Sequence, residues 1–362
     1  MDVIREAWRN QIYEAPLDPG LRIVDAHHHV VPSPHRERLE KYLYPDIVED
    51  IARCGHNVVA TVHVDAFSNY RSDGPEHLRA IGETEYIADL ADNMAAGNDT
   101  TQGIFAAIVG NGDLMMGSAV GEVLDAQMAA SVRLSGVRRM TIYDTAIGKG
   151  LPGNPQPGFM LTSKFHDGMQ EVAKRGLTFD AGVAQSQLGE VLTLARAFPS
   201  VTIILGHLGT PLGVGRYADR PAEALQEWRD GMTVLATCPN VIVKIGGLNM
   251  PFTGLGAPDD AKMPWSSTEM AARQGDHVRL TIDLFGPERC MFESNFPVDK
   301  WYTSYGVLWN SFKRMSKGYD RAELHALFSG TACCVYQIRL PDTAGAASAA
   351  LDRCPPRESA GT

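Results

Sequence analysis

The 362-residue sequence predicts an α/β protein built as a (β/α)8 TIM barrel. Eight apolar runs have the length and near-continuous hydrophobicity of buried strands, and segments with helical spacing lie between them. Strands of this kind that alternate with helices form parallel sheets with right-handed crossovers. Polar residues gather near the carboxyl ends of the runs, where such barrels carry their active sites.

The predicted elements follow one another along most of the chain. The strands are the run that begins at Arg22, then 57–64, 103–109, 136–142, 177–183, 201–207, 241–245 and 290–295. Helices are predicted at 83–96, 163–175, 188–197, 221–236 and 267–285. A doubly wound open sheet is the alternative, but it would spread the polar strand ends along a crevice instead of gathering them in a ring.

We expect one barrel domain over residues 22–340. Residues 1–21 precede the first strand as an N-terminal extension. Residues 341–362 are rich in small residues and proline, a composition typical of a disordered tail.

The composition argues against several classes of partner. The formal net charge is -10 and the pI is about 5.6, so we expect no nucleic-acid partner and no anionic membrane surface. The sequence shows no signal-peptide pattern and no apolar run long enough to cross a bilayer. We expect a cytoplasmic protein with a small-molecule substrate, and a homo-oligomer stays open.

The run RIVDAHHHVV, residues 22–31, carries the first chemical signal. His27 and His29 are two residues apart, so on a strand they share one face, with Asp25 below them. Two imidazoles that point the same way can bind one divalent ion. A His-rich strand end without a ligand is the alternative, but three histidines at the end of an apolar strand are unusual and favour a functional role.

Most other predicted strands also end in polar residues. These are His63 and Asp65, Arg138 and Arg139, Asp180, His207, Lys244, and Glu293 with Asn295. For Lys244, an ion pair with a neighbouring acid is favoured over a catalytic amine. Long loops at 66–81, 144–162, 209–220 and 248–265 are typical of substrate lids.

Three motifs together resemble the amidohydrolase superfamily. They are DAHHH at the first strand, ILGHLGTP around His207 and RCMFESNFPVDK around Asn295. The likeness runs from about Arg22 to about Tyr336 and includes GETEY, GVRR and NVIVKIGGL. It is similar in particular to the branch of barrel hydrolases that contains sugar lactonases and 2-pyrone-4,6-dicarboxylate lactonase, and it implies a metal-dependent-hydrolase-like barrel.

The resemblance implies roles for four residues. His27 and His29 match a first-strand pair that binds a divalent ion in metal-containing members and contacts substrate in metal-free lactonases. His207 matches a sixth-strand histidine that contacts the water, the substrate carbonyl or the metal. Asn295 stands where the family has an aspartate that takes a proton from the attacking water. An amide can neither act as that base nor bind a divalent ion strongly.

The loss of this carboxylate leaves undecided whether the protein binds a metal ion. His27, His29 and His207 can form a three-nitrogen site for a divalent metal, Zn²⁺ most readily. A metal-free site is equally compatible with the sequence.

The loss of the carboxylate at position 295 also leaves undecided which residue acts as the base. Glu293 shares a face with Asn295 on a regular strand, Asp299 lies in the loop that follows, and Asp180 is a third candidate. An ion pair with Lys300 is the alternative role for Asp299.

Arginine and aromatic side chains indicate an anionic or ring-shaped substrate. Guanidinium groups suit carboxylates, and aromatic loop residues suit rings. Arg138 lies in a strand, so its buried charge needs a partner, either Asp180 or an anionic substrate. The candidate substrate-binding residues are Arg71, Arg138, Tyr143, Arg216 and Tyr302.

Three functions are compatible with these residues. The favoured one is a hydrolase that opens a lactone or related cyclic ester of a small carboxylated or ring-shaped metabolite. The second is a metal-dependent, non-oxidative decarboxylase of an aromatic or muconate-type acid, which has less need of a hydrolytic base. The third is a ligand-binding barrel in which Asn295 has impaired catalysis.

Overall fold

A computed structural model of the protein describes residues 2–33, 39–96, 103–145, 147 and 156–340. The predicted C-terminal tail, 341–362, lies outside the described residues. Within the described part, eight strands form one parallel sheet in the order β1 to β8, alternating with helices, which confirms the (β/α)8 barrel.

The strands run inside and the helices outside. The strands are β1 Arg22–His28, β2 Asn57–Val64, β3 Ala107–Asn111, β4 Leu134–Met140, β5 Thr178–Gly182, β6 Ile203–Leu205, β7 Val241–Ile245 and β8 Cys290–Phe292. The helices are α1 Asp2–Arg9, α2 Tyr44–Cys54, α3 Ile81–Ala96, α4 Val120–Ala130, α5 Ser163–Lys174, α6 Leu188–Ala197, α7 Pro221–Leu235, α8 Ser267–Phe285, α9 Tyr305–Met315, α10 Arg321–His325 and α11 Thr331–Tyr336.

The third strand begins four residues later than predicted. Phe105 has a left-handed backbone with φ of 57°, which interrupts the extended chain before Ala107. The segment still contacts β2, because the N–H of Thr61 donates to the carbonyl of Gly103 and the N–H of Ala106 donates to the carbonyl of Thr61. A local backbone reversal of this kind leaves no clear signal in hydrophobic periodicity.

Of three apolar clusters among the described residues, two hold the barrel strands together. The larger joins the outer faces of the strands to the helices. The smaller joins small and branched strand residues such as Val24, Ala26 and Ala107 to Val335 and Tyr336 of α11. We infer that α11 seals the barrel interior beneath the carboxyl ends of the strands.

The predicted N-terminal extension packs against the barrel. The indole N–H of Trp8 donates to the carbonyl of Ala261, 2.9 Å away. Arg9 and Glu40 form a buried ion pair at 2.6 Å. Among the described residues, no helix is both long and apolar enough to cross a membrane.

Candidate active site

The barrel closes where its first and last strands meet, and this closure aligns the motifs from the two ends of the chain. The N–H of Asn295 donates to the carbonyl of His27 at 2.9 Å, and the N–H of His29 donates to the carbonyl of Phe296 at 2.7 Å. His27, His29 and Asn295 are therefore neighbours, although 268 positions separate His27 from Asn295 in the sequence.

Asp25 does not share the site with these imidazoles, in contrast to the expectation from simple alternation. A register irregularity between Asp25 and His28 interrupts the pairing of β1 with β2. The carboxylate of Asp25 instead accepts from the N–H of Ser294 at 2.8 Å and from the hydroxyl of Tyr305 on α9 at 2.9 Å. Asp25 therefore fastens β1 to β8 and α9.

Glu293 lies between two imidazoles. Its Oε1 is 2.6 Å from Nδ1 of His207, and its Oε2 is 2.8 Å from Nδ1 of His27. Glu293 is fully buried. Because both contacts use Nδ1, they leave the Nε2 atoms of the two rings for other partners.

His29 completes a row of imidazoles. Its Nδ1 is 2.7 Å from the carbonyl of Val64, so this nitrogen carries the proton, and its Nε2 faces Nε2 of His27 at 3.1 Å. A histidine whose other ring nitrogen donates to a backbone carbonyl is oriented as metal-ligating histidines are. Burial, with Lys244 near His27 and Arg138 near His29, lowers the pKa of both rings well below the usual value, so they are neutral at pH 7.

These residues fit a divalent cation. Ligand atoms of His27, His207 and Glu293 lie within 4.8 Å of one another. Nδ1 of His27 and Oε2 of Glu293 are buried, and neither has a hydrogen-bond partner among the described residues despite their close approach. Neutral imidazoles with a carboxylate are a ligand set that suits Zn²⁺. His27, His207 and Glu293 could hold the ion, with His29 adjacent.

Two glycines after β7 make room for this cluster. A Cβ on Gly246 would lie 2.4 Å from Cγ of Glu293, and one on Gly247 would lie 2.5 Å from Nδ1 of His207. Gly247 also has a φ of +66°, a conformation that costs glycine little. The GG pair of the KIGGL segment thus permits the approach of Glu293 and His207.

Asn295 and Asp299 form a pair in which the amide faces the cavity. Nδ2 of Asn295 donates to Oδ2 of Asp299 at 2.7 Å, and Asp299 also accepts from the N–H and Nδ2 of Asn249. Asn295 lines the cavity, whereas Asp299 is fully buried behind it. Burial raises the pKa of Asp299 to about 6. The expected alternative partner, Lys300, pairs with Asp50 instead.

The cavity at the strand ends has a volume of about 370 Å³. Its polar lining includes His29, Arg138, His207 and Asn295. No carboxylate is among its described lining residues. His207 and Asn295 have positive φ, of 52° and 54°, and non-glycine residues in that region are frequently functional.

Arg138 is open to the cavity and pairs with no carboxylate in the described part of the chain. Its Nη2 donates to the backbone carbonyl of Asp65, and its buried Nε has no partner. The neighbouring carboxylate, Asp180, pairs with Lys244 at 2.6 Å and accepts from the hydroxyl of Tyr336. Of the two partners considered for Arg138, Asp180 is therefore already engaged. Asp180 is also absent from the cavity lining.

The structure brings two of the five candidate substrate-binding residues to the cavity, Arg138 and Tyr302. Arg71 pairs on the surface with Glu85, and Arg216 pairs with Glu227. Each of these two arginines has an acid on a nearby helix, so its charge is satisfied away from the cavity. The remaining candidate, Tyr143, hydrogen-bonds through its backbone to Gln187 and is not among the lining residues.

Sequence reasoning named His63 and Asp65 as strand-end residues but missed Glu83, which joins them in a polar cluster beside Arg138. Glu83 on α3 accepts from the N–H groups of Ala66 and Ser68 and lies 3.0 Å from Nε2 of His63. Asp65 accepts from the hydroxyl of Tyr70 at 3.0 Å and from Nδ2 of Asn111 at 3.1 Å. These contacts fix the chain end of β2, to which Arg138 is bound. The GETEY segment contained a sequence signal for this role of Glu83, because it places an acidic residue at the start of a helix next to small and apolar residues.

Burial dominates the electrostatics of this cluster. It raises the pKa of Asp65 and of Glu83 to about 7 in each case, and the two carboxyl groups interact with one another. The same burial lowers the pKa of His63 to about 3.

Comparisons with known proteins agree with this architecture. Residues 24–338 match the family model described as Amidohydrolase. The chain is 33% identical to the uncharacterized protein y4mH of Sinorhizobium fredii, over 82% of this chain and 86% of that protein. It is 26% identical to an L-fucono-1,5-lactonase of Burkholderia multivorans, over 73% and 84% of the two chains.

A solved structure shares the fold. It is an amidohydrolase from Burkholderia multivorans with bound zinc, which superposes with a TM-score of 0.64 at 21% identity and covers 88% of this chain and 99% of that one. The family model spans most of the chain and the relative y4mH exceeds 30% identity over most of its length. The chain belongs to the amidohydrolase family and is a hydrolase of that family.

Proposed function

We propose that the protein hydrolyses a lactone or related cyclic ester of a small carboxylated or ring-shaped compound. The observation that carries the proposal is the cavity floor, where His29, His207 and Asn295 face the same space as the guanidinium of Arg138. The similarity to the L-fucono-1,5-lactonase of Burkholderia multivorans supports the reaction type.

Arg138 supplies the charge complement for the substrate. A guanidinium that is buried, lacks a carboxylate partner and opens to a cavity suits a carboxylate group on the ligand. Its attachment to the carbonyl of Asp65 fixes its position relative to the imidazoles. We therefore assign the anionic group of the substrate to the part of the cavity floor next to the guanidinium of Arg138.

His207 is the group best arranged to move a proton. Its Nδ1 faces Oε1 of Glu293 at 2.6 Å, so Nε2 is left to accept a proton from water in the cavity. Glu293 would then stabilise the imidazolium, in the way that a carboxylate orients a histidine base. Glu293 thus acts as a positioning residue behind the base, in the version of the site without an ion.

In the version with an ion, His27, His207 and Glu293 would hold it. The bound ion would supply Lewis-acid polarisation of the carbonyl and a water of lowered pKa. The bound zinc in the structurally similar amidohydrolase from Burkholderia multivorans makes Zn²⁺ the first choice. Asn295, whose Nδ2 is held by Asp299, would present its carbonyl oxygen to the water as a hydrogen-bond acceptor.

The test is whether the purified protein opens any of a panel of lactones, with ring opening detected as the release of protons. The metal content of the protein is measured before and after treatment with a chelator. We expect wild type to turn over at least one lactone and His207→Ala to lower kcat roughly 10²–10⁴-fold. His77→Ala is the matched control, because His77 pairs with Glu122 on the surface.

The outcomes separate the versions of the site. Stoichiometric metal with chelator-sensitive turnover establishes the ion-dependent version, and full turnover in metal-free protein establishes the other. If wild type opens no lactone but Asn295→Asp does, the proposal fails in favour of a barrel whose catalysis was impaired at this position.

Decarboxylation of an aromatic or muconate-type acid is the second candidate. The absence of any carboxylate from the described cavity lining favours it, because decarboxylation needs a proton donor more than a hydrolytic base. Release of carbon dioxide from aromatic acids, with no ring opening of lactones, would replace the hydrolase proposal with this one.

A further inference from the structure

The cavity has a polar floor and a hydrocarbon wall. Apart from Thr210 and the polar groups already described, its larger described lining residues include Val31, Met140, Ile142, Met250, Phe252 and Val298. They come from the last residue of β4 and from the segments that follow β1, β4, β7 and β8. Apolar side chains therefore face the floor from several sides of the barrel mouth.

Backbone groups of three wall residues, Val31, Met250 and Phe252, are already hydrogen-bonded within the protein. The N–H and carbonyl of Val31 are both paired with Tyr42, at 2.7 and 2.8 Å. The carbonyl of Met250 accepts from both the N–H and the hydroxyl of Thr253, and the carbonyl of Phe252 accepts from the N–H of Gly213. A ligand hydroxyl placed against this wall would lose its water partners and find little in exchange.

The contrast between the polar floor and the apolar wall favours lactones with hydrocarbon substituents over lactones with many hydroxyl groups. Burying a hydroxyl without a partner is unfavourable, whereas each buried methylene improves affinity about fourfold. The volume of about 370 Å³ lies at the small end of ligand pockets, which suits one ring with a short substituent.

We propose that the substrate body, apart from the anionic group assigned to Arg138, is hydrocarbon, a lactone ring fused to an aromatic ring or carrying an alkyl substituent, and not a polyhydroxylated sugar lactone. This rests on the proposed function for the reaction, but the choice of ligand rests on the wall alone. The reacting carbonyl lies on the floor with the imidazoles, and the hydrocarbon part lies against Met140, Ile142 and Met250.

Binding of lactams, the amide analogues of lactones, tests the choice of ligand, provided that intact lactam is recovered after the titration. The probes are a six-membered lactam with a pentyl substituent and the lactam of gluconic acid, compared by calorimetry on the full-length protein. We expect the alkyl lactam to bind at least about tenfold more tightly, from two or more buried methylenes. Equal affinity, or tighter binding of the hydroxylated lactam, overturns the inference.

A variant of one wall residue tests whether the apolar wall causes the preference for the alkyl lactam. Met140→Gln keeps the length of the side chain but adds an amide to the wall, so we expect the preference for the alkyl lactam to fall about fourfold or more. Met128→Gln is the matched control, since Met128 is exposed on α4. An unchanged preference in a Met140→Gln protein with wild-type thermal unfolding would show that the wall does not select the ligand.

Hydrolysis of matched lactones distinguishes this inference from the proposed function. Dihydrocoumarin and an alkyl δ-lactone are compared with glucono- and fucono-lactone. If no lactone is opened but the lactam preference holds, the reaction is wrong and the ligand class stands. If the sugar lactones are opened fastest, the reaction stands and the ligand class is wrong.

Discussion

Two buried cationic side chains on the barrel strands, Lys244 and Arg138, differ in what surrounds them. Lys244 is fully buried, pairs with Asp180, and that carboxylate also accepts from Tyr336 of the sealing helix α11. Among the described residues, Arg138 hydrogen-bonds to a backbone carbonyl and not to a carboxylate, and it opens to the cavity. The difference separates a charge that is paired within the fold from one that we propose binds the substrate.

The largest expected effect tests this difference directly. Lys244→Met leaves Asp180 buried without its counter-charge, so we expect the free energy of unfolding to fall by about 3–5 kcal/mol, measured by chemical denaturation. Arg138→Met breaks no ion pair of the described residues and removes only the longer-range interaction of Arg138 with the Asp65 carboxyl, so its free energy of unfolding should change by less than about 1 kcal/mol. Equal losses in the two variants would mean that Arg138 is structural as well.

A second prediction concerns how precisely His207 is positioned in the candidate active site. In Gly247→Ala the new Cβ would lie 2.5 Å from Nδ1 of His207, so the imidazole must move. Displacements of about 1 Å can cost about 10²-fold in rate, and we expect a fall of that order in kcat on any lactone that wild type opens.

Gly189→Ala is the control for this variant, because nothing lies within 4 Å of a Cβ at Gly189. We expect its kcat to match that of wild type. If the two alanine variants are equally active, the close approach of Gly247 does not position His207 for the reaction.

The smallest expected effect is on the pH dependence of stability and comes from the cluster of Asp65 and Glu83. Like the pair of Lys244 and Asp180, this cluster is buried and hydrogen-bonded within the fold, but it lies next to Arg138. The folded pKa of each carboxyl is about 7, above the usual 3.8 of Asp and 4.5 of Glu. Between these values the unfolded chain holds fewer protons than the folded one. The stability that these groups contribute is therefore present at low pH and is lost as pH rises through about 7.

Replacing Glu83 by Gln should flatten this part of the stability profile. The pKa of His63 is lowered to about 3, and its contribution has the opposite sign, so the comparison is the slope of the variant against that of wild type. We expect the loss of unfolding free energy between about pH 5 and about pH 8 to shrink by about 1 kcal/mol or more. Glu85→Gln, on the surface with Arg71, should leave the slope unchanged, and an identical slope in Glu83→Gln would contradict the assignment.

Much of the architecture was determined by the sequence alone. Alternation of apolar strands with helical segments predicted the barrel, and several bounds, such as Asn57–Val64, Val241–Ile245 and Ser267–Phe285, agree with the structure. These elements are set by local hydrophobic periodicity, which is readable along the chain. Motifs likewise predicted that His27, His29, His207 and Asn295 belong to one site, and the structure brings His29, His207 and Asn295 to one cavity with His27 beside them.

The tertiary structure decided the partners. Asp25 left the imidazole face because one register irregularity in β1 shifts the alternation. Glu293, considered as a base, lies between two Nδ1 atoms, and Asp299 lies behind Asn295. Arg71 and Arg138 were both candidates for substrate binding, yet of the two only Arg138 is among the residues that line the cavity. Such outcomes depend on which groups meet across long sequence separations and on single left-handed residues, and neither is encoded in local periodicity.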